Sequence, residues 1–188
     1  MSERHAPAIA PPAYAYVPGR FPHPYADPSG HRFGADLPAA VVPDPARWAD
    51  SLHYVLGIDL FNHGYYWEAH ELWESLWHAC GRRGTLAAFF KGLIQLAVVG
   101  VKARQGRIEG VLAHARRARE LFEEVAAARD GDQCMGMRLT DLIARANQIL
   151  AQPPSAPDPA AAVEVVFPFQ LELVLPENQG VNSASRDP

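Results

Sequence analysis

His70, Glu71 and Glu74 are the residues of this chain whose types and spacing point most directly to chemistry. On a helix, side chains three or four residues apart meet on one face. His70 with Glu74, and Glu71 with Glu74, are therefore converging pairs. An imidazole and two carboxylates can ligate a divalent cation. The order His70-Glu71-Leu72-Trp73-Glu74 puts a ligand pair at i and i+4 with an acid between, as in the zinc-protease His-Glu-x-x-His helix, with Glu74 in place of the second histidine. Such a shell needs a further ligand, from His114 or His78. A metal-dependent hydrolase built this way would use His70 and Glu74 as ligands and Glu71 as base. The Glu-x-x-His pair of di-iron bundles is absent, because Trp67 stands three residues before His70.

These residues sit in a dense run. Between Phe61 and His78 the chain packs three tryptophans, two tyrosines, three glutamates and three histidines. At 100° per residue, Ala69, Leu72, Trp73, Leu76 and Trp77 cover one broad apolar side. Glu71, Glu74 and His78 fall opposite, and His70 lies on the border. Core packing is the expected use of Trp67, Trp73 and Trp77, with a ligand-stacking wall as the alternative.

A helix must follow that supplies the other half of the junction. Residues from Leu86 to Val101 are apolar almost all round, the pattern of a helix at the centre of a bundle. Its exceptions, Lys91, Gln95 and Lys102, share a narrow stripe. Polar groups on a buried helix need partners, so Glu71 or Glu74 is expected within reach of Lys91 or Gln95. The junction then reads as a structural ion-pair lock, or as a pocket with Lys91 facing an anionic ligand, or as a metal site. His114, on the apolar side of its helix, reads more simply as a hydrogen-bonded core histidine.

Five helices are expected to position these groups. Asp44-Pro45 starts the first, with Asp as N-cap and Pro in the first position, and it runs to about Asn62, before Gly64. The second runs from about Tyr65 to Ala79, the third from Thr85 to Arg104, the fourth from Arg107 to Arg129 and the fifth from Leu139 to Ala151. Short loops make consecutive helices antiparallel neighbours. The fold class is thus an all-α antiparallel bundle over residues 44–152. Residues 1–43 form a Pro-rich extended arm whose aromatics can drape over the domain. Residues 153–188 form a linker and tail. In it Val163–Phe167 and Gln170–Leu175 read as short strands or as a tail packed on the helices, and the chain from Glu177 reads as disordered.

Composition narrows the function. At 188 residues the chain suits one domain with a proper core. The net charge of −4 gives no basic footprint for nucleic acid. The Arg116, Arg117, Arg119 group reads as a solvated helix face. Two cysteines, Cys80 and Cys134, lack zinc spacing and read as free thiols in a reducing cytoplasm. The prolines after His5 do not make a signal peptide, and Lys91 and Lys102 bracket an apolar run too short to span a bilayer, so no membrane partner is expected. Gly-rich phosphate loops and the G-x-S-x-G elbow are absent.

One longer pattern is specific. Phe61, Asn62, Gly64, Tyr66, Glu68, Ala69, His70, Glu71, Glu74 and Trp77, followed by Phe90-Lys91-Gly92-Leu93-Ile94-Gln95-Leu96-Ala97, closely resemble the signature of domain-of-unknown-function family 309. The resemblance covers roughly residues 52 to 125. It implies a small all-α domain of bacteria and archaea with no established activity. The family pattern includes His70, Glu71, Glu74, Trp77, Lys91, Gly92 and Gln95, all present here, and does not account for the arm or the tail.

The reading that follows is a non-catalytic ligand- or partner-binding module. Its candidate ligand residues are His70, Glu71, Glu74, Trp77, Lys91 and Gln95, and its partner a small anionic ligand or a protein. Two alternatives stand beside it: the metal-dependent hydrolase, with His70, Glu74 and His114 as candidate metal ligands, and a purely structural or oligomerisation bundle. Apolar helical surface is compatible with a homodimer.

Overall fold

The computed structural model describes residues 4–35, 38–154 and 158–174. It is all-α: α1 (Leu52–Asn62), α2 (Tyr66–Ala79), α3 (Gly84–Arg104), α4 (Ile108–Ala127) and α5 (Leu139–Ala151), with a two-stranded hairpin, β1 (Gln133–Cys134) and β2 (Met137–Arg138), before α5. Each helix packs on its neighbour in sequence, and α3 is held between α2 and α4.

The first expected helix is two elements. Asp44 does cap it, its carboxylate accepting from the Ala46 amide at 2.9 Å, but Pro45–Asp50 is a 3-10 helix. The chain breaks at Ser51 (φ −85°, ψ 97°) before α1 begins. The break lets Trp48 fold back over Gly136 and against Tyr54, ring centroids 6.3 Å apart.

From His53 to Asn62, α1 is buried at every residue. An amphipathic helix hides one stripe; here the bundle covers one side while the arm and tail cover the other. Asn62 clasps the tail, donating to the Leu171 carbonyl at 2.9 Å and accepting from its amide at 2.8 Å. Asp59 clasps the arm, accepting from the amides of His5 (2.9 Å) and Ala6 (2.8 Å). Gly64, at φ +88°, ends the helix where a side chain would strike the Glu164 carbonyl.

By length and composition α3 could cross a membrane, but it is the core helix of the bundle. Phe89, Phe90, Leu93 and Leu96 are fully buried, and Gly92 and Gly100 let the rings of Phe122 and Tyr66 lie on the helix backbone.

The tail departs from the strand alternative. Residues 163–167 and 170–174 are irregular, and Phe167, Phe169 and Leu171 are buried as a packed tail; Leu175 and the stretch from Glu177 lie outside the described residues. The strands are elsewhere, in a hairpin with Gln133 opposite Arg138 and Cys134 opposite Met137. Its two central residues, Met135 (φ 53°) and Gly136 (φ 74°), both take the left-handed conformation that suits a two-residue hairpin turn. Met135 is held there by the Tyr54 hydroxyl, which donates to its carbonyl at 2.6 Å. Asp132 then caps α5 by accepting from the Thr140 amide at 2.9 Å and its hydroxyl at 2.6 Å.

Candidate functional site

The aromatic and acidic run lies on α2, and its tryptophans separate by environment. Trp73 is fully buried and reaches the Tyr54 carbonyl. Trp67 is half-buried at the edge of the core and is covered by the arm, with Tyr16, His23 and Tyr25 at centroid distances of 5.0, 5.6 and 6.0 Å. Trp77 is half-buried and carries the Lys91 ammonium 4.2 Å from its ring centroid. The Arg82 guanidinium lies 5.3 Å from the same centroid and donates to His78 Nδ1 at 2.9 Å.

His70, Glu71 and Glu74 do converge: one donor atom from each lies within 4.8 Å of the others, all three side chains half-buried. His70 Nδ1 and a Glu71 carboxylate oxygen are 3.3 Å apart without the alignment of a hydrogen bond, which leaves that buried nitrogen unpartnered. The third residue of the group is Glu71. His114, the expected third ligand, is engaged elsewhere: its Nδ1–H donates to Gln95 Oε1 at 2.7 Å.

The expected ion pairs across α2 and α3 are not formed. Among the described residues neither Lys91 nor Lys102 has a carboxylate within ion-pair distance. Lys91 is occupied by the Trp77 ring, and Lys102 donates to Gln105 at 3.3 Å with its stem over Gly110. The reason is geometric. The polar stripe of α3 faces the α4 side, toward His114, as well as the edge of α2. Burial, followed by the fields of Lys102 and Lys91, pushes the His114 pKa below its ordinary value. The arginines of α4 behave as a solvated face, with Arg117 and Arg119 paired to Glu120 (3.1 Å) and Glu123 (3.5 Å) one turn on.

The most deeply held acids lay outside the expected site. Glu68 and Asp59 are 4% and 3% exposed. Glu68 accepts from the Tyr16 amide at 2.9 Å and contacts His31 Nε2 at 3.0 Å, both in the arm. The available signal was an acid at an apolar-periodic position of a helix, which requires a partner from outside it.

Fold and site thus define an all-α bundle covered by the described parts of its arm and tail, with a half-buried polar face along α2 and α3. Residues 54–113, from α1 into α4, match the family model described as Domain of unknown function (DUF309), the family that the motif resembles. No curated protein matches the chain.

Proposed function

We propose that this bundle is a non-catalytic binding module that takes a small anionic ligand on the polar face of α3, at Lys91 and Gln95, between Trp77 of α2 and His114 of α4. The observation that carries the reading is a pair of half-buried cations, Lys91 and Lys102, without carboxylate partners among the described residues. Burying a charge is costly unless it is paired. Among the described residues Lys91 meets the Trp77 ring and no carboxylate, and its field and that of Lys102 disfavour a proton on His114. Lys91 and Gln95 are one turn apart, about 6 Å along the axis. Lys102 is about 16 Å from Lys91 and contributes field, not contact. Because Gln95 Oε1 is held by His114, its amide nitrogen is left to donate. A phosphate or carboxylate group would receive the Lys91 ammonium and the Gln95 amide, with Trp77 as a wall.

The test is a thermal-shift titration with inorganic phosphate and small carboxylates. A ligand at 100 times its Kd stabilises by about 2.7 kcal/mol. Wild type is expected to gain that shift and Lys91→Met to lose it. Equal shifts in both proteins would remove the site.

The convergence of His70, Glu71 and Glu74 favours a second reading, a divalent cation held by α2 alone. The same titration with zinc or manganese separates the two, because His70→Ala would abolish a metal response and leave the anion response intact.

A further inference from the structure

Arg104 is 1% exposed, near the C-terminal end of α3, yet among the described residues it makes one hydrogen bond: its Nη2 donates to the Ala161 carbonyl at 2.6 Å. Its Nε and Nη1 are buried and unpartnered, as are Glu68 Oε2, Glu164 Oε2 and His31 Nδ1. Buried polar atoms in folded proteins almost always have a partner, either protein or ordered water, and these five come from four segments that the backbone brings together. The arm supplies the link. The Ala15 amide donates to the Ala162 carbonyl of the tail at 2.9 Å, and the next amide, Tyr16, donates to Glu68. This short stretch of the arm therefore touches both Ala162 of the tail and the Glu68 carboxylate. Arg104 holds the tail end of the arrangement, and the Tyr66 hydroxyl, accepting from the Val166 amide at 2.9 Å, holds the segment just beyond Glu164.

We propose that this junction of arm, tail, α2 and α3 is a binding site for ordered water, which bridges Arg104 to the Glu68 and Glu164 carboxylates. The chemistry selects the ligand. Donors are left on Arg104, acceptors on both glutamates, and His31 Nδ1 serves as either, so the occupant must donate and accept at once. The charges of Arg104 and Arg20 offset those of Glu164 and Glu68, so a neutral occupant suits the cluster better than an anion or a metal ion. Arg104 has no carboxylate within ion-pair distance among the described residues, although Glu164 and Glu68 both act on its charge. A buried water makes about three hydrogen bonds. The site is complete only when arm and tail are both docked, since each contributes one of its walls.

Two measurements on the full chain test this. A crystal structure at a resolution that shows ordered water is expected to place one within about 3.2 Å of Arg104 Nε or Nη1 and of a Glu68 or Glu164 oxygen. Water magnetic relaxation dispersion is expected to count at least one long-lived molecule that Arg104→Met loses. Should that variant not fold, Glu164→Leu removes one acceptor at the half-buried edge and is expected to speed exchange of the same water with bulk. Density that shows Arg104 paired directly with Glu68 or Glu164 overturns the proposal. So does a wild-type relaxation profile without a long-lived water.

Discussion

Lys91 and His114 show how strongly a half-buried polar residue depends on what its neighbours already hold. Lys91 was expected to meet an acid of α2 and instead sits on Trp77, a contact worth about 0.5–1 kcal/mol at exposed sites and more when desolvated. His114 gives Nδ1–H to Gln95 and is kept neutral by burial and by two lysines. Its folded pKa lies below its unfolded value near 6.5. The unfolded chain therefore binds a proton on this residue before the folded chain does as the pH falls. Stability is fully present above the unfolded pKa and is lost as the pH drops through the folded one. Urea midpoints measured in steps down from neutral pH should fall for wild type and fall less steeply for His114→Gln, which keeps a partner for Gln95 without the titration. A variant with the same acid slope as wild type would mean that His114 is not a contributor.

At the scale of elements, close contact on α3 depends on residues without side chains. Gly100 carries the Tyr66 ring directly on its backbone, and a methyl group there would overlap the ring. Gly100→Ala should cost about 1–3 kcal/mol, the range for overpacking a filled core. It should appear as a lower urea midpoint at constant m-value; a midpoint within error of wild type would show that Tyr66 moves freely. Helix existence, order and most boundaries were legible because α2 to α5 have strong periodic patterns and glycine stops: Gly81 (φ +67°), Gly106 (φ +69°) and Gly131 (φ +87°) all lie in the left-handed region. The break at Ser51 was not legible, because Asp44-Pro45 caps a 3-10 and an α-helix equally well. The hairpin was missed because Met135 takes a left-handed conformation that only a distant hydroxyl, that of Tyr54, stabilises. The convergence of His70, Glu71 and Glu74 was readable from spacing alone, since all three are on one helix. The partners of Lys91, Gln95 and Glu68 were not, since they depend on how α3 rotates against α4 and on where the arm lies.

At the scale of the molecule, arm and tail form one layer over α1. Asp59 and Asn62 are three residues apart, so they share a face of the helix and hold one terminus each. The Ala15–Ala162 hydrogen bond joins the two segments directly. Removing an anchor should therefore act on both. Asn62→Ala strips the Leu171 amide and carbonyl of their buried partners, and each unsatisfied group costs about 1–3 kcal/mol. That cost is capped, because the tail can detach and let water satisfy its backbone, so the effect should appear as local opening more than as a shifted global midpoint. Asp59→Ala should free residues 5 and 6 in the same way. Amide hydrogen exchange separates cooperative from independent docking. If the layer is cooperative, Asp59→Ala accelerates exchange at Leu171, and the Asp59→Ala, Asn62→Ala pair is non-additive. Leu171 exchange that is unchanged in Asp59→Ala would mean that arm and tail dock separately, with their shared hydrogen bond a consequence of docking and not a cause.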